Sequence, residues 1–107
     1  MVTGKVLDRN VVDVTREFFV EHLRSDHSRR GYAADWNDYC AWLCLQRSDA
    51  FRASAADVKN YLRTLMERGT GRAARQRALS VIRSIYGAYV VAGFLPANPA
   101  REAKNPK

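Results

Sequence analysis

An all-α fold, four helices closed by an extended C-terminal segment, is what this sequence predicts, and three observations predict it. Apolar residues recur at helical spacing in four separate segments. No stretch shows the strict alternation of a half-buried strand. Glycine and proline fall mostly between the periodic segments, where they can stop them. At 107 residues the chain makes one domain with a real core.

The first segment is NVVDVTREFFVEHLRS, in which Val11, Val14, Phe18 and Leu23 share a face with Phe19 alongside, and Asn10 with Asp13 marks the start. The second, SRRGYAADWNDYCAWLCLQ, takes Ser28 as N-cap and gathers Tyr32, Trp36, Tyr39, Cys40 and Leu43 on one side. The third opens on SAAD, a capping-box pattern with Asp in place of Glu, carries Val58, Tyr61, Leu62 and Leu65, and ends at Gly69. The fourth starts after Thr70 and runs to about Ala92, where Gly93 and Pro96 stop it. Its stripe is Leu79, Ile82, Ile85, Tyr86, Tyr89 and Val90. Three prolines within residues 96–106 make the ending an extended exit segment rather than a fifth helix. The expected organisation is residues 1–9 as an N-terminal tail, 10–95 as the helical domain and 96–107 as a linker.

Several function classes fall away. No apolar run approaches the roughly 18–20 residues of a membrane span, and MVTGKVLDRN lacks the apolar stretch of a secretion signal, so a cytoplasmic location is expected. Cys40 and Cys44, four apart in a helical segment, suit reduced thiols better than a disulfide framework. With only His22 and His27 to join them, they lack the spacing of a zinc site, and no metal or other cofactor is expected. Tyr32, Tyr39, Tyr61, Tyr86 and Tyr89 sit on apolar stripes as core residues, and Asp35 with Asp38 reads as surface. No Ser/His/Asp or Cys/His constellation stands out, so the chain by itself is expected to catalyse nothing.

Charge is the informative feature. The net charge of +7 divides unevenly: residues 1–50 hold seven Lys/Arg against eight Asp/Glu, and residues 51–107 hold eleven against three. Arg68, Arg72, Arg75, Arg77 and Arg83 lie in sixteen positions without one acid. A cation at a helix N-terminus opposes the macrodipole, so a purely structural helix favours acids there. Basic residues crowding the start of the fourth helix therefore point to a bound polyanion. Arg75 aligns with the core side but precedes the stripe by a turn, and is expected to project past the end of the bundle. Arg68, Arg72, Arg77 and Gln76 can reach base edges, since Arg suits guanine and Gln suits adenine. Arg29 and Arg30, directly after the Ser28 cap, make a second basic helix start suited to phosphate.

Three motifs then carry a resemblance. SDHSRRGYAADWNDYCAW resembles the phage-integrase pattern S-x-x-T-x-x-x-Y-x-x-D-x-x-x-F-x-x-W, filled by Ser25, Ser28, Tyr32, Asp35, Tyr39 and Trp42. VKNYLRTLMERG and RALSVIRSIYGAYVVAGFLPANPA are similar to later motifs of the same family, in the same order. The resemblance spans about residues 11–107 and implies the N-terminal core-binding domain of a tyrosine recombinase, a four-helix SAM-like orthogonal bundle. It implies double-stranded DNA at a core recombination site as partner, with the starts of the second and fourth helices facing the major groove. Ser28 would touch phosphate, Arg30 would face the groove, and Arg68 and Arg77 would fall at contacting positions. The chain departs from the pattern at Ala73 and Ala74, where the family often has Lys, Thr or Ser. By the same resemblance the catalytic residues belong to a second domain absent from this chain, toward which residues 96–107 would lead. Other recombinase protomers would be met through the full-length protein, and the isolated domain is expected to be monomeric.

The rival expectation is a small helical module that binds proteins rather than DNA. Trp42, Leu45 and Val91, off the main stripes, are the exposed apolar candidates for such a surface.

Overall fold

The computed structural model describes the backbone of residues 10–22 and 26–107, and the side chains of all of these except 11, 21, 22 and 26–30. The expected tail 1–9, together with Leu23 and Ser25, lies outside the described residues. Four helices follow in order: α1 (Val11–His22), α2 (Asp26–Leu45), α3 (Ala55–Glu67) and α4 (Arg72–Val91). The architecture is all-α, as the periodicity predicts, and there is no strand among the described residues.

Helix ends are set by local chemistry. Asn10 Oδ1 accepts from the Asp13 amide at 2.8 Å and caps α1. At α3 the capping box is complete: Ser54 Oγ accepts from the Asp57 amide at 3.2 Å, and the Ser54 amide donates to Asp57 Oδ2 at 2.9 Å. Gly69 and Gly93, both at positive φ, follow the C-caps of α3 and α4. Beyond each, the chain closes back on the last turn: the Thr70 amide donates to Leu65 C=O and the Phe94 amide to Tyr89 C=O, each at 2.9 Å. The expected start of α2 needs correction. The helix begins at Asp26, so the Ser28 backbone lies in its first turn rather than at the cap, because nothing in residues 26–28 breaks helical geometry.

α2 ends in the same way as α3 and α4 but with Arg47 in the left-handed position, at φ 59. The Ser48 amide donates to Leu43 C=O and the Arg47 amide to Cys44 C=O, both at 2.9 Å. An L-residue in that region costs about 1–2 kcal/mol, which glycine avoids while adding flexibility to the unfolded chain. Arg47→Gly is therefore expected to stabilise the domain by about 0.5–1 kcal/mol, read as a raised urea midpoint. A lower midpoint would show that the Arg47 side chain contributes more than its backbone strain removes.

α4 is the central helix and packs against α1, α2 and α3. Its predicted stripe is buried at Leu79, Ile82, Ile85, Tyr86 and Tyr89, with Val90 half-buried, and Ala78 and Val81 widen the covered arc. Val14 and Phe18 come from α1, Trp36, Tyr39 and Leu43 from α2, and Val58, Tyr61 and Leu62 from α3. Trp36 meets Tyr86 edge-on at 5.5 Å and Tyr89 at 5.9 Å between ring centroids. Trp42, expected to be exposed, is buried against Tyr61 with ring centroids 5.4 Å apart. Both α3 and α4 pack on α2, so its buried face is broader than its main stripe. Leu45 and Val91 are exposed as expected.

The buried phenols are satisfied in a chain. Tyr86 donates to Ala50 C=O at 2.8 Å, which leaves its oxygen to accept from the Tyr39 hydroxyl, also at 2.8 Å. Tyr89 shares a 2.6 Å bond with Thr15. Burial raises the pKa of Tyr39, Tyr86 and Tyr89, and pushes Tyr61 up to about 12 and the Cys40 thiol up to about 11. The fold thus favours the protonated forms over the unfolded chain. Their contribution is fully present below the unfolded values, 9.0 for Cys40 and 10.0 for the tyrosines, and is lost as pH rises through the raised ones. The urea midpoint should accordingly fall between about pH 9 and pH 12. An unchanged midpoint at pH 11 would contradict the burial of these groups.

Residues 96–107 contain no helix and run back along α4 toward its start. Asn98 Nδ2 donates to Arg83 C=O at 2.9 Å, and Arg83 donates to Ala100 C=O at 3.1 Å and Ala103 C=O at 2.6 Å. Ala100 is fully buried. A Cβ at Gly87 would stand 3.9 Å from Asn98 Nδ2, room for a methyl, whereas a longer side chain would displace the amide.

Candidate nucleic-acid interface

The opening of α4 begins with Gly71 as N-cap, whose missing side chain leaves the first amides of the helix uncapped by any side-chain bond. No acid occupies the first turn. These free N–H groups and the positive end of the dipole coincide with arginine, an arrangement that attracts anions. Arg68, the C-cap of α3, lies just across the turn from Arg72. Arg68, Arg72 and Gln76 are exposed, and their side chains make no hydrogen bond or ion pair among the described residues.

Arg77 is also exposed but engaged. Its Nε donates to Asp35 Oδ2 at 2.7 Å and its Nη2 to Asp35 Oδ1 at 3.1 Å, joining α4 to α2. That carboxylate raises the guanidinium's pKa, through the hydrogen bond first and charge second. Asp35 is therefore not simple surface: its side chain is only 13% exposed, against 50% for Arg77. The pair fixes the direction of Arg77 while leaving much of it open to solvent.

Arg75 corrects an expectation. It does not project past the bundle but is 6% exposed, with its guanidinium donating to Thr70 C=O at 2.8 Å, Asn105 Oδ1 at 3.0 Å and Pro106 C=O at 2.8 Å. Thr70 closes the C-terminal end of α3, where the helix dipole favours a cation. Of the five clustered arginines, Arg75 and Arg83 thus hold the C-terminal segment, Arg77 bridges two helices, and Arg68 and Arg72 are uncommitted.

Sequence reasoning missed this clamp, although signals for it exist. Arg75 is in register with Ile82, Tyr86 and Tyr89 on the core face. The segment also carries two Asn-Pro pairs, at 98–99 and 105–106, and both asparagines dock on α4 carbonyls.

The second basic opening lies on the first two turns of α2. The backbones of Ser28, Arg29 and Arg30 are helical there, and their side chains lie outside the described residues. Among the described residues no helix is long and apolar enough to cross a membrane, and no group of three His, Cys, Asp or Glu could hold a metal ion.

No curated protein matches this chain, and no solved structure matches it. The family described as phage integrase, N-terminal SAM-like domain, does match, over residues 15–92, which includes most of all four helices. That region is the non-catalytic domain of integrases. The chain belongs to the phage-integrase family, whose N-terminal SAM-like domain it carries.

Proposed function

We propose that this domain binds double-stranded DNA as the core-binding part of a tyrosine recombinase in the cytoplasm. It would position the enzyme on its recombination site and leave strand cleavage to a separate catalytic domain, reached through the polypeptide beyond residue 95. Contacts between recombinase protomers would belong to the full-length protein on DNA. The observation that carries the reading is the opening of α4, where Arg68, Arg72 and Gln76 stand exposed beside uncapped helix amides. Arg72 and Arg68 contact phosphate, and Gln76 and Arg77 face base edges, Arg77 after exchanging part of its Asp35 bond for a guanine. Ser28, Arg29 and Arg30 supply the second phosphate contact at the start of α2.

Four cations on phosphate give a salt slope, log K against log salt, of about −3 to −4. Arg72→Ala should weaken all duplexes alike and reduce that slope by about 1. Arg77→Ala should relax preference at one base pair by about 1–3 kcal/mol. Fluorescence anisotropy with a labelled duplex across a salt series measures all three. Affinity independent of salt would remove the proposal.

A protein-binding role is the second reading, favoured by Leu45 and Val91, which are 77% and 89% exposed. Under it, Leu45→Asp would abolish the domain's interactions and Arg72→Ala would change nothing.

A further inference from the structure

We propose that residues 98–107 form a latch that holds the opening of α4 in its DNA-reading position, an inference that rests on the DNA-binding reading above. The turn into α4 is Gly69-Thr70-Gly71, and neither glycine has any atom within 4 Å of where a Cβ would stand. Two glycines around one residue make a loose turn, since glycine loses most conformational freedom on ordering. Something must hold it if Arg68 and Arg72 are to present a fixed spacing.

The Thr70 amide already bonds Leu65 C=O at the end of α3, and two further bonds, both dependent on the C-terminal segment, tie the turn to α4. Arg75 Nη1 donates to Thr70 C=O at 2.8 Å, and Asn105 Nδ2 donates to Arg72 C=O at 3.1 Å. The Arg75 guanidinium is in turn oriented by Asn105 Oδ1 at 3.0 Å and Pro106 C=O at 2.8 Å. Asn105 therefore closes a ring through Arg75, the turn and the first residue of α4. It touches no DNA in this scheme. It is a positioning residue, and by reciprocity DNA at the opening favours the docked segment.

Asn105→Ala tests this without altering charge. In the full chain, backbone order parameters of residues 70–72 should fall from about 0.85 toward about 0.6, and the Arg75 Nε–H signal should exchange faster with water. Affinity for a short mixed-sequence duplex should drop about three- to tenfold, the loss expected for one or two hydrogen bonds, with the salt slope unchanged. A merely stabilising contact would lower the melting temperature and leave the affinity of the folded protein alone. Unchanged order at residues 70–72, or lost order with unchanged affinity, overturns the latch. If the unaltered protein shows no salt-dependent DNA binding, the functional reading fails, and the order parameters alone decide whether the segment holds the turn.

Discussion

Arg75→Ala is expected to destabilise the domain by about 2–4 kcal/mol, more than any other change of a charged residue considered above. The side chain is 6% exposed and donates three hydrogen bonds to neutral oxygens of the α3–α4 turn and the C-terminal segment. Hydrogen bonds from charged donors contribute about 1.5–3 kcal/mol each, and the desolvation of the guanidinium offsets part of their sum. For a domain of this size the melting temperature should fall by roughly 10–20 °C. Arg75→Lys should recover less than half of the loss, because an ammonium cannot present the planar fork that reaches three acceptors. Urea unfolding with hydrogen exchange of residues 98–107 is the measurement. Wild-type stability in Arg75→Ala, joined to a shallower DNA salt slope, would return Arg75 to the phosphate contacts.

Trp36→Ala should have the largest effect of all, about 3–5 kcal/mol. The indole is 6% exposed and stands between α2 and α4, in contact with the rings of Tyr39, Tyr86 and Tyr89. Removing it leaves a void lined by three rings whose hydroxyls are already committed, so they have little freedom to collapse inward. Trp36→Phe keeps one ring and should lose much less. The urea midpoint of both variants decides it, and a loss under about 1 kcal/mol for the alanine would show that the helices close over the gap.

Much of this fold is legible in the chain. Amphipathic spacing marks all four helices, since burying one face against neighbours is what stabilises a short helix. The Ser54–Asp57 box and the glycines at 69 and 93 mark ends that follow from local chemistry alone. What escapes the sequence depends on long-range packing. Trp42 is buried because α3 lies across α2, and Arg75 is buried because a segment some thirty residues later folds over it. The candidate site divides along the same line. That arginines gather at the opening of α4 is visible in the sequence, but which of them remain available to a ligand is decided by Asp35, Asn105 and the backbone carbonyls of the C-terminal segment.

The Tyr39–Tyr86–Ala50 relay has a mechanical consequence. Its two links tolerate displacements well below the 1.5 Å rise of one helical residue. α2 therefore cannot slide or ratchet past α4 without orphaning a buried hydroxyl. The two basic openings ride on these same two helices, so their separation behaves like the fixed jaw of a calliper. Under the proposed DNA-binding role, a duplex of a different groove width would have to bend to fit, because sliding the two helices would break this relay.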